Sequence, residues 1–431
     1  MTVEYFTLDW SQAEELKKNL ISYFHSYENC ILLDSSQFYK SKDLNEKKYH
    51  HTYDWIIGAG NNSTETTNAI PTLNAIENNR NWKFLGLSYD IKNEIEELQS
   101  QNTDTTPFPQ LFVLQPDVVI TYQQEEKKLA LYRYHFDQDI FEIKQEATTK
   151  HTHAPIQFQP TLTKEEYLEK IAAIKQHLQR GDIYEINFCQ NFKAENIAMN
   201  PWEKFQQLNA YSPMPFSAFC KLGNRYVLSA SPERFIKKKG QYLLSQPMKG
   251  TMKRSFNKED DAHLADQLKN STKDRTENVM IVDLVRNDLS KIAVRNSVEV
   301  EELFEVYEFP NIYQMISTIS CTLKENTSLV DILKATFPMG SMTGAPKIRA
   351  MELSEKFEDF KRNWYAGALG YINPENDFDF SVLIRSIFYN ETLKTLNFAV
   401  GGAITNASDA EAEYEECLLK ALPIFKLFEK N

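Results

Sequence analysis

Residues 109–123 read PQLFVLQPDVVITYQ and residues 128–136 read KLALYRYHF. Two apolar runs rich in β-branched and aromatic residues, broken by Pro116-Asp117 and then by a polar cluster, read as strands joined by tight turns. Earlier segments have the same character: CILLDSS (30–36), YDWIIGAG (53–60) and WKFLGLSYDI (82–91). The spacing predicts a helix over 10–24 and an antiparallel, hairpin-rich region across the first 160 residues. Because long strand runs are not separated by regular helices, the pattern is that of a large α+β protein rather than a doubly wound sheet.

Beyond this region, Glu146–Thr161 is polar and carries two prolines, and we place the only internal boundary there: 1–160 is the strand-rich part and 161–431 the part that carries the motifs. The second part opens with LTKEEYLEKIAAIKQHLQRGD. Thr163 and Glu166 there form a capping box and Gly181 a C-terminal stop. Further helices are expected at about 273–287 and 409–429, among strands such as RYVLSAS and QYLLSQP.

At 431 residues, about 150 per domain gives a prior near three domain-equivalents, enough for a sizeable core. With 42% hydrophobic and 25% charged residues, disordered and fibrous classes drop out. Forty-eight basic against 60 acidic residues leave a net charge of −12, which argues against nucleic acid as a partner. Five scattered cysteines, never in a CxxC pair, specify neither a disulfide framework nor a zinc site and suit a reducing cytoplasm. There is no signal pattern and no run of 18 apolar residues, so neither export nor a membrane partner is expected.

Glycine is scarce, at 13 residues, yet Gly250, Gly340, Gly344, Gly367, Gly370, Gly401 and Gly402 punctuate polar segments of the second part. Either they form ordinary turns or they let backbone approach a ligand. In SDAEAEYEECLLKA, Ser408 as N-cap and Glu411 at N3 set a helix phase that puts Glu413, Glu416 and Lys420 on one face. That face is either solvated, with an i,i+4 ion pair, or a seat for a hard cation such as Mg²⁺. A second acidic pair, Asp274 and Glu277, precedes the apolar run VMIV. It either serves the helix macrodipole or converges with the first pair on one metal.

Glu233 and Lys249 flank one strand-turn-strand unit. Lys249, set between Met248 and Gly250, is expected to be partly desolvated, with a lowered pKa that frees the amine as a nucleophile. A carboxyl in such a pocket stays protonated and serves as a general acid. Taken singly, each also reads as a surface charge. GSMTGAPK lacks the Gly-Lys-Ser/Thr of a nucleotide loop, but Gly340–Thr343 and the helix opened by Pro346 offer free amides for a carboxylate, as does GGAIT at 401–405. Arg385, at the end of an alternating strand, suits a carboxylate clamp. All eight histidines lie at or before His263, so a His-based triad in the motif-rich region is excluded. No cysteine stands in a glutaminase-like context.

In their order, GDIYEINFCQNF, SPERF, PMKGTMKR, DRTENVMIVDLVRND, TFPMGSMTGAPKIRAMELSE, WYAGALGYI, DFDFSVLIRSI and GGAITNASDAEAEYEECLLKA resemble the motifs of the chorismate-utilising enzymes from Leu162 to Phe428. The N-terminal part is similar only loosely, with CILLDSS near the tryptophan-sensing segment of anthranilate synthases. Lysine before the GT of PMKGT resembles the aminodeoxychorismate-forming branch, where anthranilate and isochorismate synthases usually have alanine. Glu185 stands where isochorismate and salicylate synthases place a water-activating lysine.

The resemblance implies an α+β fold like that of anthranilate synthase component I, with two large packed antiparallel sheets, peripheral helices and a central site. It implies Lys249 as nucleophile at C2 of chorismate and Glu233 as acid for the C4 hydroxyl. Ammonia from a glutamine amidotransferase subunit then adds at C4 and gives 4-amino-4-deoxychorismate, on the route to para-aminobenzoate and folate. Mg²⁺ falls to Glu277 and Glu416, with Glu413 and Asp274 adjacent. Arg385, Tyr371 and the amides near Gly402 correspond to the enolpyruvyl carboxylate clamp, with Thr343 and Lys420 lining the pocket. Three positions depart from the pattern: Gln314 where many members have histidine, Gln246 for an often basic residue, and Asp34 for the glutamate of the tryptophan-sensing segment. The rival readings are anthranilate synthase, disfavoured by Lys249, and a non-catalytic chorismate-binding regulator, disfavoured by the joint presence of Glu233, Lys249, Glu277 and Glu416.

Overall fold

The computed structural model describes residues 1–35, 51–144, 156–255 and 257–429. Most of the connector expected at 146–161 lies outside these residues. Among the described residues, twelve strands make one sheet and ten make a second, and every strand pair is antiparallel. The first sheet runs Thr2–Thr7, Lys128–Arg133, Val118–Gln123, Trp55–Gly60, Asn29–Asp34, Phe216–Leu222, Arg225–Ser231, Ser386–Asn390, Thr395–Ile404, Glu185–Ala194 and Gly344–Ala345. The second runs Met248–Lys253, Ile312–Thr322, Tyr242–Gln246, Arg234–Lys239, Phe378–Val382, Ala368–Ile372, Lys83–Leu87, Leu111–Gln115 and Asn62–Thr66. Each sheet thus draws strands from both sides of residue 160.

The stretch 109–123 shows how the sheets are divided. Leu111–Gln115 pairs with Lys83–Leu87 and Asn62–Thr66, while Val118–Gln123, only two residues later, pairs with Trp55–Gly60 and Lys128–Arg133. Pro116-Asp117 is therefore a crossing between sheets and not a hairpin turn. Both strands are almost entirely buried, which explains their continuous apolar runs.

One core lies between the sheets: Ile31, Val119, Cys220 and Val227 from the first meet Phe84, Phe112, Ile236 and Phe380 from the second. The other face of the first sheet is covered by the helices Trp10–Phe24, Pro201–Tyr211 and Ala410–Phe428. The helix Lys164–Arg180 has the expected ends, with reciprocal Thr163/Glu166 capping and Gly181 in the left-handed conformation at φ 78°. The C-terminal helix is capped one residue later than expected: Asp409, not Ser408, accepts from the Ala412 amide. Ser408 instead accepts from the Thr405 amide within the preceding turn. All five cysteines are buried free thiols.

A buried ion pair fixes the elements that frame the centre of the molecule. Arg362 donates to both oxygens of Glu358 (2.8 and 2.6 Å), to Met342 O (2.7 Å) and to Asn187 O (2.9 Å), while Glu358 also accepts from the Cys189 amide (3.0 Å). This one guanidinium ties the strand Glu185–Ala194 to the loop around Met342. Both side chains are at most 4% exposed. Arg362→Ala leaves a buried carboxylate unpaired, so stability should fall by about 3–5 kcal/mol, read as a lower chemical-denaturation midpoint. An unchanged midpoint would refute this role.

Candidate active site

Lys249 lies on the strand Met248–Lys253 of the second sheet, and Glu185 opens the strand Glu185–Ala194 of the first. The Lys249 ammonium donates to Glu185 Oε1 at 2.6 Å, and the two side chains are 10% and 1% exposed. This corrects the expectation of a free amine. Burial presses Lys249 toward its neutral form, but Glu185, Glu277 and Glu233 outweigh burial and raise its pKa above the ordinary lysine value. The isolated site therefore holds an ammonium.

Glu233 immediately precedes the strand Arg234–Lys239 and is 4% exposed. Burial raises its pKa to about 7, against the opposing pull of Ser341, Lys249, the Met248 amide and Arg385. Near neutrality a good part of it is a neutral acid, poised for proton donation. Arg385 sits at φ 51°, a left-handed conformation unusual for a side-chain-bearing residue. No carboxylate lies within ion-pair distance of its guanidinium among the described residues, and its hydrogen bond goes to Met214 Sδ at 3.8 Å. Burial lowers its pKa to about 10, leaving a cation open to an anionic ligand.

The two acidic pairs converge. Lys273 Nζ lies 3.4 Å from Glu413 and 4.0 Å from Glu277, so one ammonium stands between carboxylates from two helices. Glu277 Oε1 is buried without a hydrogen-bond partner, and burial first of all lifts its carboxyl to about 7. Glu416 pairs with Lys420 at 2.9 Å. Lys420 also donates to Gly401 O at 2.9 Å. A Cβ on Gly402 would stand 3.3 Å from Glu413 Oε2 and 3.9 Å from Lys420 Nζ, so this strand end lies against the acidic helix face. The strand Ser386–Asn390 pairs with Thr395–Ile404 only over Thr395, Leu396 and Asn397, which leaves Gly401 and Gly402 without a strand neighbour on that side.

Asp274 packs against Gly250, where a Cβ would lie 2.8 Å from Asp274 Oδ1 and φ is 86°. Glycine is required there on both counts. No group of three or more His, Cys, Asp or Glu side chains among the described residues could hold a metal ion. Even so, a buried carboxylate oxygen without a hydrogen bond and an ammonium held between two carboxylates fit a hard cation, since Mg²⁺ takes one or two protein carboxylates and keeps other oxygen ligands.

Two expected residues are placed differently. Thr343 is fully buried, and its hydroxyl donates to Met339 O and Gly340 O, both at 3.2 Å, inside its own turn. The Met342 and Thr343 amides are used in the same turn, so those two are not free donors. Tyr371 does not join the cluster. Its ring packs against Tyr53 and Trp82 in a second cavity, which is also lined by Asp34 and Asp379.

The departures from the motif pattern have local explanations. Gln314 donates to Gly250 O at 2.8 Å and accepts from Thr251 at 3.0 Å, holding the strand that carries Lys249. Gln246 accepts from Arg234, which is itself paired with Asp379 at 2.9 Å, and donates to Thr318 at 2.9 Å. Asp34 accepts from Lys17 at 2.6 Å.

Sequence reasoning missed Lys273 and Ser341. The first was legible as an i,i+4 partner of Glu277. The second, a serine in a loop without periodicity, gave no signal. Ser341 donates to Glu233 Oε1 at 2.6 Å.

Residues 29–426 match the model of the chorismate binding enzyme family. The chain belongs to that family. Aminodeoxychorismate synthase component 1 of Escherichia coli strain K12 is 42% identical over 277 residues, 63% of this chain and 60% of that protein. The protein of the same name from Salmonella typhimurium is 36% identical over 337 residues, 77% of this chain and 73% of its own length. Anthranilate synthase component I from Streptococcus pneumoniae superposes with a TM-score of 0.74 at 23% identity, covering 84% of this chain and 89% of that one. MenF, the menaquinone-specific isochorismate synthase of Escherichia coli, gives 0.75 at 15% identity, covering 99% and 94%. These two likenesses establish the fold, and it is the expected one: two large antiparallel sheets with helices outside.

If Glu185 is what holds Lys249 charged, Glu185→Gln should lower the Lys249 pKa, because burial then acts with less opposition. Titration of the folded variant by ¹⁵N-lysine NMR reads this directly. A Lys249 pKa unchanged from wild type would contradict the pairing.

Proposed function

We propose that the chain is the synthase component that converts chorismate and ammonia to 4-amino-4-deoxychorismate, the precursor of para-aminobenzoate. The observation that carries this reading is a buried lysine, Lys249, in one cluster with Glu185 and with Glu233, whose pKa burial raises to about 7. It occupies the position where the resemblance separates this branch from anthranilate and isochorismate synthases. The relatives named aminodeoxychorismate synthase component 1 support the same branch.

In this reading Lys249 first gives its proton to a neighbouring carboxylate, Glu185 being in contact. The freed amine attacks C2 of the ring while the double bonds shift and the C4–O bond breaks. Glu233 supplies the proton with which the hydroxyl leaves as water. Ammonia then adds at C4, the C2–N bond breaks and Lys249 is released, with the enolpyruvyl group retained. Arg385, with no carboxylate at ion-pair distance among the described residues, takes a substrate carboxylate, and Gly402 and Lys420 line the approach.

Glu277, with Glu413 and Glu416 beside it and Asp274 adjacent, would hold Mg²⁺. When bound, the metal would neutralise a substrate carboxylate that this net acidic protein otherwise repels. Ammonia would come from a separate glutamine amidotransferase subunit, because the chain has no Cys-His glutaminase pattern. Five buried free thiols suit a reducing cytoplasm. Among the described residues, no helix is long and apolar enough to cross a membrane.

Chorismate, Mg²⁺ and ammonium should yield 4-amino-4-deoxychorismate by mass, whereas glutamine should not replace ammonium without the partner. Excess EDTA should stop turnover, and kcat/KM should decline as pH rises through about 7 and Glu233 loses its proton. A fluorescent anthranilate product, or robust glutamine-dependent turnover by the isolated chain, would sink the assignment.

A further inference from the structure

The acid of the proposed reaction is gripped at one oxygen by a side chain, and the Met248 amide also acts on its carboxyl. Ser341 Oγ lies 2.6 Å from Glu233 Oε1, with the two residues 7% and 4% exposed. Among the described residues the serine hydroxyl donates to no other group. We propose that Ser341 is a positioning residue for Glu233: its O–H donates to Oε1, which leaves Oε2 to carry and deliver the proton. This rests on the reading of Glu233 as the acid that protonates the departing hydroxyl.

The chemistry favours the arrangement. A neutral carboxyl has one O–H and one acceptor oxygen, so a donor fixed on Oε1 assigns the acidic proton to the other oxygen. When Glu233 gives that proton away, the O–H···O contact becomes charge-assisted and roughly twice as strong. Ser341 therefore stabilises the carboxylate that forms during the step more than the acid that precedes it, which is the condition for accelerating a reaction.

The serine is also held in advance. Its loop is closed by the Met342 amide on Met339 O (3.0 Å) and the Thr343 amide on Gly340 O (3.1 Å). Arg362 clamps Met342 O at 2.7 Å, and the Asn187 amide donates to Thr343 O at 2.8 Å. A Cβ on Gly340 would stand 2.8 Å from Leu284 Cδ2, so the loop lies directly on the helix Thr272–Ser290. The Thr343 hydroxyl, spent inside the turn, belongs to this support. The charged groups facing Glu233 are Lys249 and Arg385. Asp288, which lines the small cavity behind Glu233, is already paired with Lys291 and Lys347.

The test uses the full chain with ammonium and two variants. Ser341→Ala should lower kcat about 10- to 100-fold, the range for a hydrogen bond to a charged group, with KM for chorismate unchanged. Its alkaline limb should move to higher pH, because the carboxylate has lost a donor. Ser341→Thr, which keeps the hydroxyl, should restore both. ¹³C-carboxyl NMR of Glu233 should show the same upward move in Ser341→Ala, independent of turnover. A wild-type limb and titration in Ser341→Ala, or a loss of rate with an unmoved limb that threonine does not rescue, would overturn the proposal. A wild-type chain that makes no 4-amino-4-deoxychorismate would overturn the reaction reading, while the Glu233 titration would still decide whether Ser341 governs that carboxyl.

Discussion

A lysine from one sheet and a glutamate from the other meet at 2.6 Å in the interior, and the site is organised around that contact. Burying two charges costs several kcal/mol each in lost hydration, which their attraction repays only when geometry and surroundings are favourable. Here the surroundings are strongly acidic: Glu277 and Glu233 act on Lys249 along with Glu185. The same lysine in turn limits how far burial raises the pKa of Glu233 and Glu277. The protonation states of the centre are thus set jointly, and no single group can be read apart from the others.

Holding that contact requires the two sheets to keep their relative position. The pair Arg362–Glu358 fixes the Glu185 side of that contact, because one guanidinium binds the carbonyls of Asn187 and Met342 while its carboxylate partner takes the Cys189 amide. The strand that carries Glu185 and the loop that carries Ser341 are therefore fixed by one buried unit. Lys249 is steadied from its own sheet, where Gln314 holds the carbonyl of Gly250. Rigid elements place the reacting groups, the loop of Ser341 is closed by its own backbone hydrogen bonds, and the Arg385 carbonyl accepts from the Ala230 amide at 3.2 Å.

Local features were legible in the sequence. The helix Lys164–Arg180 begins and ends where Thr163, Glu166 and Gly181 say it should, since capping depends on residues three or four apart. The convergence of Glu277 with Glu413 was one of two readings that the acidic pairs left open, and the contacts of Lys273 with both favour it. Long-range placement was not legible. The runs in 109–123 look alike, yet they enter different sheets, because sheet membership depends on partners far away in the chain. Tyr371 sits on a strand near the motifs, but its side chain faces another cavity. Lys249 was expected to be neutral from its apolar neighbours, whereas its charge is decided by Glu185, 64 residues away. The one-residue error at Ser408 has a local cause: adjacent Ser and Asp are both good N-caps, and the turn at Thr405 takes the serine.

The central claim is that Lys249 bonds covalently to the ring, and intact-protein mass spectrometry tests it most directly. Chain mixed with chorismate and Mg²⁺ but no ammonia should gain the mass of chorismate less one water, mapped by proteolysis to Lys249 and absent from Lys249→Ala, whose turnover should fall by orders of magnitude. A Lys249→Ala chain that forms 4-amino-4-deoxychorismate at the wild-type rate, with no adduct on the wild-type protein, would contradict it.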